Sequence, residues 1–250
     1  MKEKFEFALK REDPEECFLN NLVEKFNDEQ VPLKIRKINL LEAIDLPIPK
    51  TDIISRKNEL EIKEKISTRL RESNEPLIMR FSGHDDKLGM PSFYIDDEKN
   101  LVDVLRRMKD IFTRDLNISH VILQSATPNE EIHNKISGRL MISDDMNDEI
   151  IELYKGARST GVLNSVNQSD IQFYRLIKPA GGFMRPEKKI DPNSTLNTGE
   201  VIDMIRKIDE KRDAIEIARS VLHNSKRHNR NDYTFEFSYR NGNLVFTDID

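Results

Sequence analysis

Three carboxylates near the end of the chain are arranged in a pattern suited to binding a hard cation. Glu236 lies within an alternating apolar stretch, and Asp248 and Asp250 end the next such stretch. Mg²⁺ prefers oxygen ligands of this kind and also contacts phosphate oxygens. The sequence therefore predicts a metal site of Glu236, Asp248 and Asp250 if all three share one face. The alternative is a solvated polar face on an edge hairpin.

The loop between these two stretches decides which face each carboxylate takes. A two-residue turn at 241–242 turns Glu236 away from the other two carboxylates. A three-residue loop at 240–242 pairs Glu236 with Phe246 and places all three on one face. That loop needs a left-handed residue at its last position, which Gly242 supplies at little cost. We therefore predict the three-residue loop.

A cation that interrupts an apolar strand is the second candidate. Arg80 lies within LIMRFS, and a polar loop follows it. Its side chain supplies charge, and the backbone N–H groups near Ser82 and Gly83 are accessible to phosphate oxygens. The pattern indicates a phosphate-binding segment made by Arg80, Ser82 and Gly83. The alternative is a strand-edge arginine paired with Asp85 or Asp86.

The segment VILQSAT is the third candidate. This apolar strand becomes polar at Gln124 and Ser125 and continues to Ala126. Extended backbone beside an apolar cleft can pair with the edge of a purine, so these three residues are predicted to contact a base. An ordinary strand end explains the same pattern.

Composition and charge exclude several functional classes. The chain has 250 residues, with 40 basic and 45 acidic residues and a net charge of -5. Nucleic-acid-binding proteins usually show a basic excess, so this balance argues against that class. The dense basic run at 226–230 is read as a solvated turn or as a contact to an anion. The sequence contains no phosphate-binding P-loop, G-x-G-x-x-G, C-x-x-C or G-x-S-x-G motif.

The sequence also bears on cellular location. A single cysteine, Cys17, cannot form an internal disulfide, which favours a reducing compartment. The first residues are too charged for a signal peptide, and no apolar run approaches the roughly 18 residues of a membrane helix. We expect a cytoplasmic protein without a membrane segment. The small-molecule substrate is not readable, and a homo-oligomer is left open.

Periodicity predicts an α+β fold with mostly antiparallel sheets and flanking helices. The prolines at 47 and 49 favour extended backbone across the segment that starts at Pro32. Strands and helices do not alternate strictly, which argues against a doubly wound parallel sheet. Residues 178–197 read as a long loop, which often acts as a lid. Helices are predicted at 13–26, 56–71, 99–112 and 198–224, and strands at 77–82, 93–95, 121–125, 137–142, 149–154 and 171–177.

Taken in chain order, these segments resemble the ATP-grasp family over residues 43–250. Arg80 matches the position of the family's phosphate-binding lysine, and arginine there is similar to the branch of phosphoenolpyruvate synthase and pyruvate phosphate dikinase. Gln124 matches the polar residue of the hinge that contacts adenine. Glu236 and Asp248 match two acidic metal ligands, and Asp250 takes the place of the family's usual asparagine.

The resemblance implies two lobes that clamp ATP and Mg²⁺. Residues 1–45 would form an N-terminal helical lead-in, 46–120 the first lobe and 121–250 the second. The implied activity is that of a ligase or phosphotransferase acting through an acylphosphate or phosphoryl intermediate, and the alternative is a non-catalytic nucleotide-binding module. A further cation should stabilise the transferred phosphoryl group; the candidates are Arg185, Arg175 and Arg158, each of which can equally be a surface or ion-pairing residue.

Overall fold

The helices and strands follow one another in a mixed order. The computed structural model describes residues 14–73, 75–83, 91–128, 134–143, 148–156, 171–177, 182–187, 194–225 and 232–250. The helices are α1 (Pro14–Phe26), α2 (Leu33–Ala43), α3 (Glu59–Ser73), α4 (Glu98–Arg114), α5 (Thr198–Glu210) and α6 (Arg212–His223). The strands are β1 (Thr51–Ser55), β2 (Leu77–Gly83), β3 (Phe93–Ile95), β4 (Ile118–Ser125), β5 (Ile136–Ser143), β6 (Asp148–Lys155), β7 (Gln172–Ile177), β8 (Arg185–Pro186), β9 (Asp232–Arg240) and β10 (Asn243–Ile249).

Two antiparallel sheets organise the described residues. The first has the order β1-β4-β2-β3, and the second has the order β10-β9-β5-β6-β7-β8. Every neighbouring pair is antiparallel. The predicted α+β class with antiparallel sheets is therefore confirmed. No helix in these ranges combines the length and the apolar character needed to cross a bilayer.

Each sheet packs against amphipathic helices and has its own core. On α4, Leu101, Val104, Met108 and Phe112 are buried at helical spacing, and they join the core of the first sheet. The α4 helix begins at Asp97, whose carboxylate accepts from two first-turn N–H groups. Helices α5 and α6 join the core of the second sheet. Separate cores allow the opposite faces of the two sheets to border one cleft.

Helix α2 lies where the sequence predicted extended backbone. Pro47 and Pro49 come after its end and so do not disrupt it. Ile35 and Ile38 pack with Ile122 of the first sheet. The neighbouring residues Leu40 and Leu41 belong to the core of the second sheet instead. The prediction for this segment was wrong, and the helix that replaces it connects the two sheets.

The long helix predicted at 198–224 is two helices in the structure. Lys211 leaves helical geometry, with φ −101° and ψ 13°. Its side-chain ammonium donates to the carbonyl oxygen of Asp45 at 3.1 Å. This break lets α5 and α6 bury separate apolar faces against the same sheet.

The C-terminal hairpin has a two-residue turn, so the predicted three-residue loop was wrong. Arg240 pairs with Asn243, and Asn241 and Gly242 have φ values of 50° and 79°. Positive φ at both central residues defines the turn type that matches the twist of paired strands. The left-handed conformation predicted for Gly242 is confirmed.

A β-bulge at Thr247 then reverses the expected consequence of this turn. The register shifts between Phe246 and Asp248, so that Glu236 pairs with Asp248. Beyond the pair, Thr234 and Asp250 exchange both backbone hydrogen bonds. Residues directly opposite each other in an antiparallel pair lie on one face. Glu236, Asp248 and Asp250 therefore share a face of the hairpin, as predicted, although by a different route.

The turn gives a direct test of this backbone geometry. Gly242→Ala should lower the free energy of unfolding by about 1 kcal/mol, because a β-carbon is strained at positive φ. Apart from Gly242 and its two chain neighbours, no described residue has an atom within 4 Å of the added β-carbon, so the loss reports backbone strain and not a clash. Asn241→Gly is the matched control and should not destabilise the protein. Urea unfolding measures both, and equal stability of Gly242→Ala and parent would contradict the turn.

Candidate functional site

A cleft of about 570 Å³ lies between the two sheets. This volume falls within the roughly 300–1,000 Å³ typical of small-molecule sites. The first sheet and its adjoining segments contribute Pro49, Glu75, Ile78, Arg80, Tyr94, Gln124, Ser125, Ala126 and Thr127. The second contributes Lys135, Ser137, Gly138, Tyr154, Glu236, Phe237, Ser238, Arg240, Asn243, Val245 and Thr247.

Three cations converge on this cleft from both sheets. Arg80 lies on β2, Lys135 directly precedes β5, and Arg240 ends β9. Burial, together with the positive charges of Arg240 and Arg80, lowers the pKa of Lys135 to about 8. The electrostatic environment of Lys135 is thus net unfavourable to a cation. An anion placed among the three side chains would relieve that cost.

Ser82 and Gly83 lie away from the cleft lining. Ser82 is fully buried, and its hydroxyl has no hydrogen-bond partner among the described residues. An added β-carbon on Gly83 would lie 2.2 Å from the carbonyl oxygen of Asn117, so close packing between strands accounts for the glycine. Of the predicted phosphate-binding residues, Arg80 is the one that the structure places on the cleft. The alternative partners Asp85 and Asp86 lie outside the described residues.

The predicted base-contacting segment forms one wall of the cleft. Gln124 is buried in this wall. The backbone N–H groups of Ser125 and Ala126 donate to the carbonyl oxygens of Lys50 and Pro76, at 3.0 and 2.8 Å. These two donors are already engaged within the protein. A base that approaches this wall therefore finds side chains and carbonyl oxygens more readily than N–H groups.

A buried arginine holds this wall in place. Arg69 is 3% exposed and donates to the carboxylate of Asp52 at 3.0 Å. It also donates to the carbonyl oxygens of Leu123 and Lys50, and to the hydroxyl of Ser125. One side chain therefore ties α3 to the ends of β1 and β4. Sequence reasoning missed this role, because the pattern around Arg69 is that of an ordinary polar residue of a helix.

Each of the three C-terminal carboxylates is paired with a cation. Two nitrogens of Arg139 contact the carboxylate of Glu236, at 3.0 and 2.9 Å. The ammonium of Lys37 lies 3.5 Å from Asp248 and also bonds to Asp250. Within the described ranges, no three acidic, histidine or cysteine side chains are grouped closely enough to hold a metal ion. The three carboxylates share a face of the hairpin, but in this structure their oxygens do not converge on one point.

The pKa shifts follow from this arrangement. Burial raises the pKa of Asp248, and the charges of Asp250 and Glu236 raise it too, whereas Lys37 lowers it. For Lys37, burial alone would lower the pKa, but Asp248 and Asp250 outweigh burial and raise it. The carboxylates repel one another, and Lys37 offsets that repulsion.

The structure places the predicted catalytic arginines at the far side of the second sheet. Arg175 on β7 is exposed and lies 3.9 Å from Glu187. Arg185 is on β8, the edge strand beyond β7. Strand β7 is three strands from β9, or about 14 Å. Arg158 lies outside the described residues.

Arg139 and Lys37 are the cations beside the carboxylates, and sequence reasoning missed both. Arg139 interrupts the apolar strand ISGRLMIS just as Arg80 interrupts LIMRFS, and this signal could have identified it. Lys37 carries no such signal, because it lies on a helix where extended backbone was predicted.

Solved structures of low identity share features of this fold. D-cycloserine synthetase DcsG is 12% identical with a TM-score of 0.49, and the match covers 92% of this chain and 63% of DcsG. D-alanine–D-alanine ligase from Bacillus anthracis complexed with ATP is 11% identical with a TM-score of 0.43, and the match covers 87% of this chain and 53% of the ligase. A RimK domain ATP-grasp protein from Sphaerobacter thermophilus is 13% identical with a TM-score of 0.39, and the match covers 85% of this chain and 55% of that protein.

The chain thus spans between about half and two thirds of the length of these structures. No protein-family profile and no curated protein matches the sequence. At this level of similarity, the function proposed below rests on the residues of the chain itself.

The unfavourable environment of Lys135 predicts a pH-dependent stability. Its folded pKa of about 8 lies below the ordinary 10.5, so the unfolded chain binds more protons between these values. The contribution of Lys135 to the free energy of unfolding therefore rises with pH across that window. Lys135→Met should be more stable than the parent at pH 7, and the difference should shrink towards pH 10.5.

Urea unfolding at a series of pH values measures this difference. Lys63→Met, on the exposed surface of α3, is the control for replacing a lysine by an apolar residue. If the free energies of unfolding of the parent and Lys135→Met differ by a constant amount between pH 7 and pH 10.5, the environment of Lys135 is not unfavourable to its charge.

Proposed function

We propose that the chain binds ATP together with Mg²⁺ in the cleft between its sheets, as an ATP-dependent ligase or phosphotransferase of the ATP-grasp kind. The observation that carries the proposal is the convergence of Arg80, Lys135 and Arg240 from two sheets. A triphosphate is a polyanion of the size and charge that such a cluster would hold.

The cleft offers a different surface for each part of a nucleotide. Its cationic side suits the phosphates. The wall at 124–127 suits the base, together with Ile78 and Tyr94, whose apolar surfaces face the same space. The hydroxyl of Tyr94 donates to the carbonyl oxygen of Thr127 at 3.2 Å, which fixes the ring beside this wall. Aromatic rings in such positions provide apolar contact area for a base.

The donor types at the hairpin fit Mg²⁺. Glu236, Asp248 and Asp250 present hard carboxylate oxygens on one face and would hold the ion. When bound, Mg²⁺ would neutralise charge on the β- and γ-phosphate oxygens. For the carboxylates to serve as ligands, their contacts with Arg139 and Lys37 must open.

The ligase reaction would proceed in two steps. A substrate carboxylate oxygen attacks the γ-phosphorus, the bond to the β-phosphate oxygen breaks, and ADP leaves. A nucleophile such as an amine then attacks the acyl carbon of the acylphosphate, and inorganic phosphate leaves as the amine loses a proton. Positioning and charge neutralisation provide most of the catalysis in such transfers. Arg139, which contacts Glu236, is suited to stabilise the transferred group. The roles of Arg185, Arg175 and Arg158 stay predictions.

A non-catalytic nucleotide-binding module is the second candidate. It is favoured by the ion pairs that neutralise all three carboxylates without a metal. Nucleotide that raises the melting temperature without any ADP release, across a panel of carboxylate and amine substrates, would indicate this module. ADP release dependent on one substrate pair would indicate the ligase.

The cytoplasmic location and a homo-oligomer also stay predictions.

Removing Arg80 should weaken nucleotide binding. Arg80→Ala should raise the Kd for ATP by roughly thirtyfold, because a charge-assisted contact to phosphate contributes about 2 kcal/mol. Isothermal titration calorimetry measures the change. Arg107→Ala is the control, since Arg107 is an exposed arginine of α4 paired with Asp103. Equal affinity of Arg80→Ala and the control would remove Arg80 from the site.

Replacing Asp248 should weaken the metal-dependent part of binding. Asp248→Asn loses one charged oxygen ligand, so the gain in ATP affinity on adding Mg²⁺ should fall. Titrations with Mg²⁺ and with a chelator give that gain for parent and variant. A gain that is unchanged in the variant would contradict the metal role of the hairpin.

A further inference from the structure

Lys37 lies beside the cleft and lines a small cavity together with Arg80 and Asp248. Its helix α2 packs against β2 and β10. The Lys37 side chain is 13% exposed, and its ammonium contacts Asp248 and Asp250 together. This is the position in which a divalent cation would have to lie in order to use both carboxylates.

The contact also accounts for the stability of the acidic pair. Asp248 and Asp250 lie on one face of the hairpin, and Asp248 is paired across the strands with a third carboxylate, Glu236. The Lys37 ammonium contacts both Asp248 and Asp250 and so offsets the repulsion between them. The ammonium therefore stands in for a metal ion in both position and sign of charge.

We propose that Lys37 is a tethered counterion that a divalent cation must displace in order to bind. Mg²⁺ takes oxygen ligands at about 2.1 Å, so an ammonium cannot remain between the same two carboxylates. Lys37 consequently sets the metal affinity of the free protein, keeping it low until another interaction draws the ammonium away. This inference rests on the proposed metal-nucleotide function.

A small cavity of about 10 Å³ beside the pair connects Lys37 with the cationic cluster. It is lined by Lys37 and Asp248, and also by Lys34 and Arg80. Phosphate oxygens bound by Arg80 would lie within reach of Lys37 from there. Nucleotide would therefore draw Lys37 from the carboxylates and free them for the metal. Metal and nucleotide should accordingly bind with positive coupling.

The test is Mn²⁺ binding without nucleotide, and the electron paramagnetic resonance signal of free Mn²⁺ measures the binding. Lys37→Met should bind Mn²⁺ at least about tenfold more tightly than the parent, because a competing charge is removed. Lys37→Arg keeps that charge and should bind weakly, as the parent does. Lys65→Met is the control, since Lys65 pairs with Asp52 at 3.2 Å on another part of the surface. Far-UV circular dichroism checks that each variant is folded.

The outcomes separate this inference from the proposed function. If Lys37→Met binds Mn²⁺ no more tightly than the parent, while Asp248→Asn still impairs metal-dependent ATP binding, the counterion inference is overturned and the function stands. If neither the parent nor any variant binds Mn²⁺ or ATP, the counterion inference and the proposed function are both overturned. If Lys37→Met is unfolded without metal, the inference requires millimolar Mg²⁺ to restore its fold. Failure to do so overturns it.

Discussion

Charge in the cleft is distributed unevenly, and the site depends on this asymmetry. Arg80, Lys135 and Arg240 are brought together at a cost that is visible in the lowered pKa of Lys135. The carboxylates on the neighbouring hairpin are instead neutralised by Lys37 and Arg139. One part of the cleft is therefore ready to receive an anion. The other must exchange its partners before it can receive a cation.

Helix α2 relates this charge pattern to the arrangement of the two sheets. Its apolar residues pack towards both cores, with Ile35 and Ile38 against Ile122 and with Leu41 in the second core. The same helix delivers Lys37 to the acidic pair. A change in how the sheets approach each other would move Lys37 relative to Asp248. Under the proposed function, the arrangement of the two sheets and the metal affinity would be coupled through this one helix.

The hairpin shows how two local features combine to set a functional face. The Asn-Gly turn follows standard turn chemistry and on its own would pair Glu236 with Thr247. The bulge at Thr247 adds one residue and restores the shared face. Bulges commonly re-aim side chains next to functional sites. The conclusion drawn from the sequence was right about the face and wrong about the turn, because no local pattern announced the bulge.

The α+β class, most strands and amphipathic helices such as α4 could be predicted, because the apolar periodicity encodes them locally. Arg80, which lines the cleft, and the three carboxylates, which share a face, could be singled out because charges are conspicuous in apolar strands. Which groups meet could not be predicted. Contacts between distant segments place Lys135 and Lys37 close to the site. Such contacts also place Ser82 and Gly83 away from it. Long-range packing and charge pairing set these contacts, and neither leaves a periodic trace in the sequence.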